Sequence, residues 1–472
     1  MALASSNLAQ LRYFPEAVFG TPVLTGTPNN LRMTGESLAY AITTAVSNEI
    51  RADRMVSDLI LTGANANGAN NLEMSFKEYD DLIEAVTQGT WLGCNDSAIA
   101  TATITLTNTI TAGAGTPFSG VQVGQPVKFT GFANAANNVP LTVLTVTDTV
   151  ITVAGTPLVN EAAAVTFNSY GKLGGGAHAL TLTTSAGTTL TASAGAPFAN
   201  VVAGQYVLLS GMVTAANSGL KKVVSKTSST VLVFAAATFA ANEANTAATF
   251  SASRVTNGTT QRSFTLERSL QDVGQSFRFD GMTVSKMSMS FASGAVVTGS
   301  FDFMGKSARR ADVTGPNFSQ FTGTPVPSDT YDVMNAVTGV GNVLENGITL
   351  AGTFIKTLKF DLDNALRAQD AIGVFGAAGI ASGSCMVKGD IEVYLANGTM
   401  YDKFINNTAS TISWTMQDGA GNGYAFTLPK VKYSDAKVQA GGLNQDIIIS
   451  MPFTALLDPT TAKMVLIDRF GA

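Results

Sequence analysis

Two repeats are nested in this chain, and together they constrain its fold more than any single motif. In the inner pair, the segment 115–127, with Pro117, Phe118, Val121, Gly124, Gln125 and Val127, returns as 195–207 with Pro197, Phe198, Val201, Gly204, Gln205 and Val207. The offset is 80 residues and widens to 82 where Asn160 and Glu161 recur as Asn242 and Glu243. The outer pair is fainter: 38–52, from Leu38 through Ile42 to Arg51, resembles 354–368, from Phe354 through Leu358 to Arg367, at an offset of 316. Further on, Phe277, Phe279 and Val284 resemble Tyr424, Phe426 and Val431 at an offset of only 147. The first outer copy therefore carries about 169 extra residues, close to two inner units.

A duplicated module with a tandem pair spliced into its first copy gives one chain two equivalent bonding surfaces, the economy of a self-assembling structural subunit. The boundaries follow: a first module from 1–95 and 257–305, inner units at 96–176 and 177–256, a linker at 306–332 and a second module at 333–472. Length is ample for several cores.

Charged residues are only 13% of the chain, against about 25% in average proteins, so much of the surface is neutral Thr, Ser, Asn and Ala. The net charge of −5 comes without any basic run beyond Lys221-Lys222 and Arg309-Arg310. Tight nucleic-acid binding needs clustered cations to displace phosphate counterions and is excluded; a mildly acidic wall past which DNA slides is not. Residues 1–13 lack a cationic start followed by an apolar core, which predicts no signal peptide and a soluble protein made in the cytoplasm. The most apolar stretch, 371–387, is interrupted by Gly373, Gly376, Gly379 and Gly383, too often for a membrane span. Cys94 and Cys385 fall at non-corresponding places in the outer repeat, which predicts two reduced thiols.

Strand signals dominate. In 354–363 one face carries Phe354, Leu358, Phe360 and Leu362 and the other Lys359, Asp361 and Asp363. The exception is 75–89, where Ser75 as N-cap, Glu78 three residues on, apolar positions at Tyr79, Leu82, Ile83 and Val86, and a terminal Gly89 predict a short amphipathic helix. Asp80, Asp81 and Glu84 then belong to its polar side. A weaker segment at 400–405 predicts a second helix. Each inner unit reads as a compact all-β domain, immunoglobulin-like or a small barrel, with 171–176 and 257–258 as linkers.

Catalytic signals are nearly absent. His178, the only histidine, follows three glycines in a presumptive linker with no Cys or His beside it to share a metal. Gly305, Lys306 and Ser307 echo the end of a phosphate loop, but Ser300 stands where its first glycine should be. No catalytic, cofactor-binding or metal-binding residue is expected, and no cofactor.

The stretch 255–268, with Asn257, Gly258, Phe264, Leu266, Glu267 and Arg268, followed by Phe279, Gly281, Met282 and Val284 and then by Gly299, Phe301, Phe303, Met304, Gly305 and Lys306, resembles the major tail tube proteins of long non-contractile-tailed bacteriophages (siphophages). The inner units look like insertions that some of these proteins display outside the tube. The resemblance implies a mainly β chain of two tandem tail tube modules of sandwich or barrel type, each with one short helix, plus two immunoglobulin-like inserted domains. It implies a non-enzymatic virion protein, assembled in the host cytoplasm into stacked rings that conduct the genome. Its partners would be itself, in homotrimeric rings of pseudo-six-fold symmetry, other tail proteins, and DNA passing through the lumen without specific binding; no membrane is involved. The competing class, a bacterial surface adhesin with tandem immunoglobulin-like domains, explains the inner repeat but not the outer one. The small-residue segments 61–71 and 371–383, too long for a tight hairpin and too poor in anchors to pack alone, read as long loops; the resemblance implies that they reach the neighbouring ring, mobile in the free subunit and ordered between rings, the alternative being flexible hairpins that touch only their own chain. Met55, Leu59, Ile60, Val374 and Phe375 are their apolar anchors.

Overall fold

The computed structural model describes the chain apart from residues 1–2, 94–96, 106–107, 116, 119–125, 139, 155–157, 169–173, 184–187, 194–196, 314–316, 342, 347, 350–353, 441 and 472. Cys94, Val121 through Gln125, part of the 171–176 linker and the 95/96 boundary thus lie outside the described residues. The fold is mainly β, as the alternating patterns require, with two short α-helices among the described residues.

The first outer copy contributes β1 (Ala9–Glu16), β2 (Ala39–Val46), β3 (Leu59–Glu73) and α1 (Asp80–Thr87). Two sets of six strands follow: β4 (Ser97–Thr105), β5 (Thr109–Ala112), β6 (Pro126–Thr130), β7 (Pro140–Val146), β8 (Val150–Ala154) and β9 (Glu161–Asn168), then β10 (Gly174–Thr183), β11 (Thr189–Ala192), β12 (Tyr206–Ser210), β13 (Gly219–Ser228), β14 (Val231–Phe234) and β15 (Glu243–Thr256). The first copy resumes with β16 (Ser263–Leu270), β17 (Gln275–Ala292), β18 (Thr298–Gly305) and β19 (Ser307–Asp312). The second copy holds β20 (Ile355–Asp363), β21 (Met386–Tyr394), α2 (Thr399–Ile405), β22 (Ser410–Gln417), β23 (Gly423–Tyr433), β24 (Lys437–Gln439), β25 (Ile448–Ala455) and β26 (Leu466–Phe470).

Strand order repeats with the sequence. In the first copy the hydrogen-bonded order is β2–β3–β18–β17–β16, with α1 between β3 and β16 in the chain. In the second it is β20–β21–β25–β23–β22, with α2 between β21 and β22. Even the last strand agrees, since β19 flanks the first half of β17 as β26 flanks the first half of β23. The two copies meet along β17 and β20, which pair antiparallel from Lys286 with Asp363 to Ala292 with Thr357. A shared core runs beneath, including Met287, Phe301, Leu358, Phe360, Trp414 and Phe426, with the Trp414 and Phe426 rings stacked at 5.2 Å.

The inner units close on themselves. The first runs β4–β5–β8–β7–β6–β9 and back to β4, and the second runs β10–β11–β14–β13–β12–β15 and back to β10. Continuous hydrogen bonding around six strands is a small barrel, so of the two expectations the barrel describes them and the immunoglobulin-like sandwich does not. Each has its own core, Phe118, Phe129 and Phe167 in one, Phe198, Phe234 and Phe250 in the other. The repeated Ala-Ala-Asn and Asn-Glu signatures have one cause. Buried Asn137 donates from Nδ2 to the Val159 carbonyl and Glu161, and buried Asn217 donates to the Ala241 carbonyl and Glu243, pinning the turn before β7 or β13 to the start of the last strand.

Several expectations change. Ser75 does not cap α1, which begins at Asp80 after Tyr79 without a side-chain cap and ends at Thr87 with Gln88 in the left-handed region. Its apolar face is buried as predicted, but Asp80 and Glu84 are buried too, because the helix is enclosed on both sides. His178 and Gly174 to Gly176 lie within β10, not in a linker, the glycines facing Phe250, Ser251 and Ala252 in register. Asn257 and Gly258 form a packed joint: Asn257 Oδ1 accepts the Met464 amide at 2.8 Å, and a Cβ on Gly258 would strike the Gln88 carbonyl. The 306–332 connection is likewise anchored. It starts with β19, and Glu267 accepts hydrogen bonds from Ser319 and Gln320. Residues 61–71 belong to the 15-residue strand β3 and are not a loop, since their side-chain-poor backbone pairs with β2 as far as Asn67 and with β18 from Ala66 onward.

Candidate assembly site

A run of exposed apolar side chains lies on the hairpin of β2 and β3. Along β20 the core face is buried at Leu358, Phe360 and Leu362, whereas the positions related to Leu358 and Leu362 by the 316-residue offset, Ile42 and Val46, are 47% and 51% exposed. The same alternating pattern has found a cover in one copy and none in the other. At and beside the tip, residues 47–58, Ile50, Met55, Val56, Leu59, Ile60 and Leu61 are all exposed. A polar clamp, Arg51 to Asp53 at 2.7 Å, lies within the turn, where Asp53 also accepts the Met55 amide. Contiguous apolar exposure of this kind marks a surface that another molecule covers.

The equivalent hairpin, β20 with β21, ends differently. Its tip pairs Arg367–Gln369 with Gly379–Ala381 and lies across the end of α1. Asn364 Nδ2 donates to the Val86 carbonyl at 2.8 Å, Gln88 Nε2 to Ser382 Oγ at 2.6 Å, and Gln261 Nε2 to the Ile380 carbonyl at 2.9 Å. Gly376 has positive φ and sits so close to the Lys306 carbonyl that a Cβ would collide. Val374 and Phe375 keep 43% and 47% exposure on this anchored tip. Of the five anchor residues read from sequence, Met55, Leu59 and Ile60 thus share the free hairpin, while Val374 and Phe375 sit on the docked one. Sequence reasoning missed the free edges themselves. The signal was present in the shared alternation of Ile42, Thr44 and Val46 with Leu358, Phe360 and Leu362.

Opposite the core, the joined sheet carries a polar face: Asn65, Asn67 and Asn71 on β3, Asp302 on β18, Lys286, Ser288 and Ser290 on β17, Lys359, Asp361 and Asp363 on β20, and Lys388, Asp390 and Glu392 on β21. Carboxylates outnumber cations here. Burial holds the Asp302 carboxyl above its ordinary range, with Lys286 opposing and Asp361 and Asp363 reinforcing.

Beneath the docked tip, α1 concentrates charge. Asp80 accepts the Tyr424 hydroxyl at 2.6 Å and pairs with Arg469, whose guanidinium stacks 4.9 Å from the Trp91 ring. Asp81 accepts the Tyr13 hydroxyl at 3.0 Å, and desolvation first, then the neighbouring Asp80, raises its pKa. Glu84 accepts the Trp91 amide at 2.9 Å and faces Arg262 at 3.4 Å, yet burial pushes its carboxyl up to about 7. Each of these contacts joins α1 to another segment of the chain. Cys385 is a free thiol, raised to about 11 by burial. No group of three or more His, Cys, Asp or Glu able to hold a metal occurs among the described residues, and no helix there is long and apolar enough to cross a membrane.

No curated protein matches the chain. Residues 224–455 match the model of the phage tail tube protein family, a span that contains β16 to β18, the β17–β20 junction and the second copy as far as β25. Over that span, just under half of its length, the chain is similar to the phage tail tube protein family.

Proposed function

We propose that this structural tail protein polymerises into stacked rings of three chains, each chain supplying two side-by-side modules, and that the rings form the conduit for genome ejection. The observation that carries this reading is the identical strand order of the two copies, joined through β17 and β20. Two quasi-equivalent modules per chain make a three-chain ring pseudo-six-fold. The mixed, slightly acidic polar face suits a lumen: it offers phosphates no cluster of cations to bind, so DNA passes without being held. The two barrels stand on the exterior as insertions in the first module. In support, the strand that leaves, Leu92–Gly93, and the strand that returns, Ser253 and Arg254, pair side by side. Other tail proteins cap the stack, and assembly takes place in the host cytoplasm. Electron cryomicroscopy of purified, polymerised protein tests the stoichiometry: three-fold rings are expected, and six chains per ring would rule it out.

A further inference from the structure

We propose that the second barrel and the 364–383 tip are mechanically linked through β26 and α1, so that docking of the barrel holds the tip in place and opening of either loosens the other. The link is a property of the single chain, whether or not chains assemble into rings.

β26 is its first part. Successive side chains of a strand point to opposite faces, and two neighbours on β26 are clamped on opposite sides. Asp468 faces the barrel, where it accepts Arg254 at 2.5 and 2.7 Å and the Tyr206 amide at 2.9 Å. Arg469 faces α1, where it pairs with Asp80 and stacks on the Trp91 ring. Asp80 is held from two further directions, by the Tyr424 hydroxyl at 2.6 Å and, through its carbonyl, by Trp91 Nε1 at 3.0 Å. A shift of β26 on the barrel side therefore moves the side chain that anchors the start of α1.

α1 is the second part. It has only eight residues, about 12 Å of helix, so its two ends move together. The far end carries the tip: the Val86 carbonyl accepts Asn364 Nδ2, and Gln88 Nε2 donates to Ser382 Oγ. The same end is reached by the strand that leaves the barrel. β15 pairs with β26 from Ser253 to Thr256; just beyond, the Gly258 amide donates to the Thr87 carbonyl at 2.9 Å and the Thr260 amide to the Gln88 carbonyl at 2.8 Å. Two routes from the barrel thus converge on residues 86–88, where the tip rests.

Coupling needs elements with two arrangements, and the chain displays both arrangements of each. The second barrel packs on Ala425 and Phe470, whereas the strand pairings of the first, among the described residues, stay within it. The 364–383 tip is docked, whereas the tip of the equivalent β2–β3 hairpin leaves Ile50, Met55 and Val56 exposed. A partner or a load on the second barrel is then felt at the tip, and by reciprocity the contacts of the tip steady the barrel.

Hydrogen exchange on the full, unassembled chain tests this. Leu208→Asp and, separately, Asp468→Asn open the seam between barrel and sheet; Asn364→Ala combined with Gln88→Ala frees the tip. Tyr433→Phe, which removes a hydrogen bond to Glu345 away from the link, controls for general weakening of the second module. Seam and tip variants alike should speed exchange about tenfold at both 206–210 and 364–383, with the first barrel unchanged and Tyr433→Phe at parental rates in both segments. A seam that opens without the tip, a tip that opens without the seam, or equal changes in Tyr433→Phe overturn the link. So does a set of folded variants in which neither segment changes. Should the seam variants fail to fold, the tip variant alone decides, by its exchange at 206–210.

Discussion

The two inner barrels have one topology and different relations to the rest of the molecule. Their registers match strand for strand: Pro140, Leu141 and Thr142 face Lys128, Val127 and Pro126 in the first, as Leu220, Lys221 and Lys222 face Leu208, Val207 and Tyr206 in the second. Among the described residues, the first barrel's strand pairings stay within it. The second is welded on. Tyr206, Leu208 and Leu220 pack against Ala425 and Phe470, and β15 runs out of the barrel to pair with β26. Asp468, fully buried, accepts Arg254 at 2.5 and 2.7 Å and the Tyr206 amide at 2.9 Å. At the register positions of that docking face the first barrel has Pro126, Lys128, Pro140 and Thr142. Core positions repeat because both barrels must fill the same interior; Tyr206, Leu208 and Leu220 depart from that repeat where the second barrel packs on Ala425 and Phe470.

The weld is where the largest effect should appear. Asp468→Asn leaves Arg254 buried with half its partner, a loss of about 3–5 kcal/mol for a broken buried pair, seen as a lower denaturant midpoint and faster proteolysis between 204 and 256. Deletion of 98–254 carries the same loss, because it removes Arg254 and uncovers Phe470. An Asp468→Asn chain as stable as the parent would erase the distinction between the barrels.

The shared latch should respond equally. Asn137→Ala and Asn217→Ala each strand hydrogen-bonding groups of a buried turn and should cost about 1–3 kcal/mol. Unfolding of each variant, followed by hydrogen exchange in its own barrel, sharpens the comparison: similar local losses mean the barrels differ only outside.

Acid should separate the welded body from the first barrel. Glu84 titrates at about 7 in the folded protein and near 4.5 when unfolded, so the cost of its buried charge is present above 7 and relieved as pH falls toward 4.5. The core should gain about 1–3 kcal/mol between pH 8 and 5, with Asp81, also raised, adding in the same sense. Glu161 in the first barrel has the opposite sign. Its desolvation is outweighed by hydrogen bonds from Ala133, Asn134 and Asn137, its pKa is lowered, and its contribution is lost only as pH drops below the ordinary carboxylate range. Melting curves against pH, with Glu84→Gln as control, should show the core's slope vanish in the variant.

The smallest effect is expected from removing the first barrel alone. Closing 97–168 with a short Gly/Ser linker should change stability of the remainder by no more than about 0.5 kcal/mol, the scale of changes away from packed features, and leave polymerisation intact. A collapse of assembly would mean that this barrel has contacts between chains.

Much of this was legible because repetition and alternation are local. The inner units, the outer copies, the β20 face of Leu358, Phe360 and Leu362, and both helices follow from spacing alone. The barrel form of the inner units did not, since six short alternating strands read alike whether they close into one ring or split into two sheets. The small-residue run 61–71 read as a loop because Gly, Ala and Asn give little strand signal; it is a strand because β2 pairs with its first part and β18 with its second. Asp80, Asp81 and Glu84 fit the polar face of an isolated helix and were read so. Tyr13, Tyr424, Arg262 and Arg469, far away in the chain, supply the partners that let them be enclosed.

By itself the sequence determined that this is a duplicated, mainly β protein with a tandem insertion, because periodicity and repeat offsets are properties of neighbouring residues. Only the tertiary structure decided which equivalent surfaces are filled. Ile42 and Leu358 occupy matching places with matching character, yet one is exposed and the other buried, because burial depends on which strand lies alongside, and within one chain the second copy can cover the first while nothing remains to cover the edge of β2.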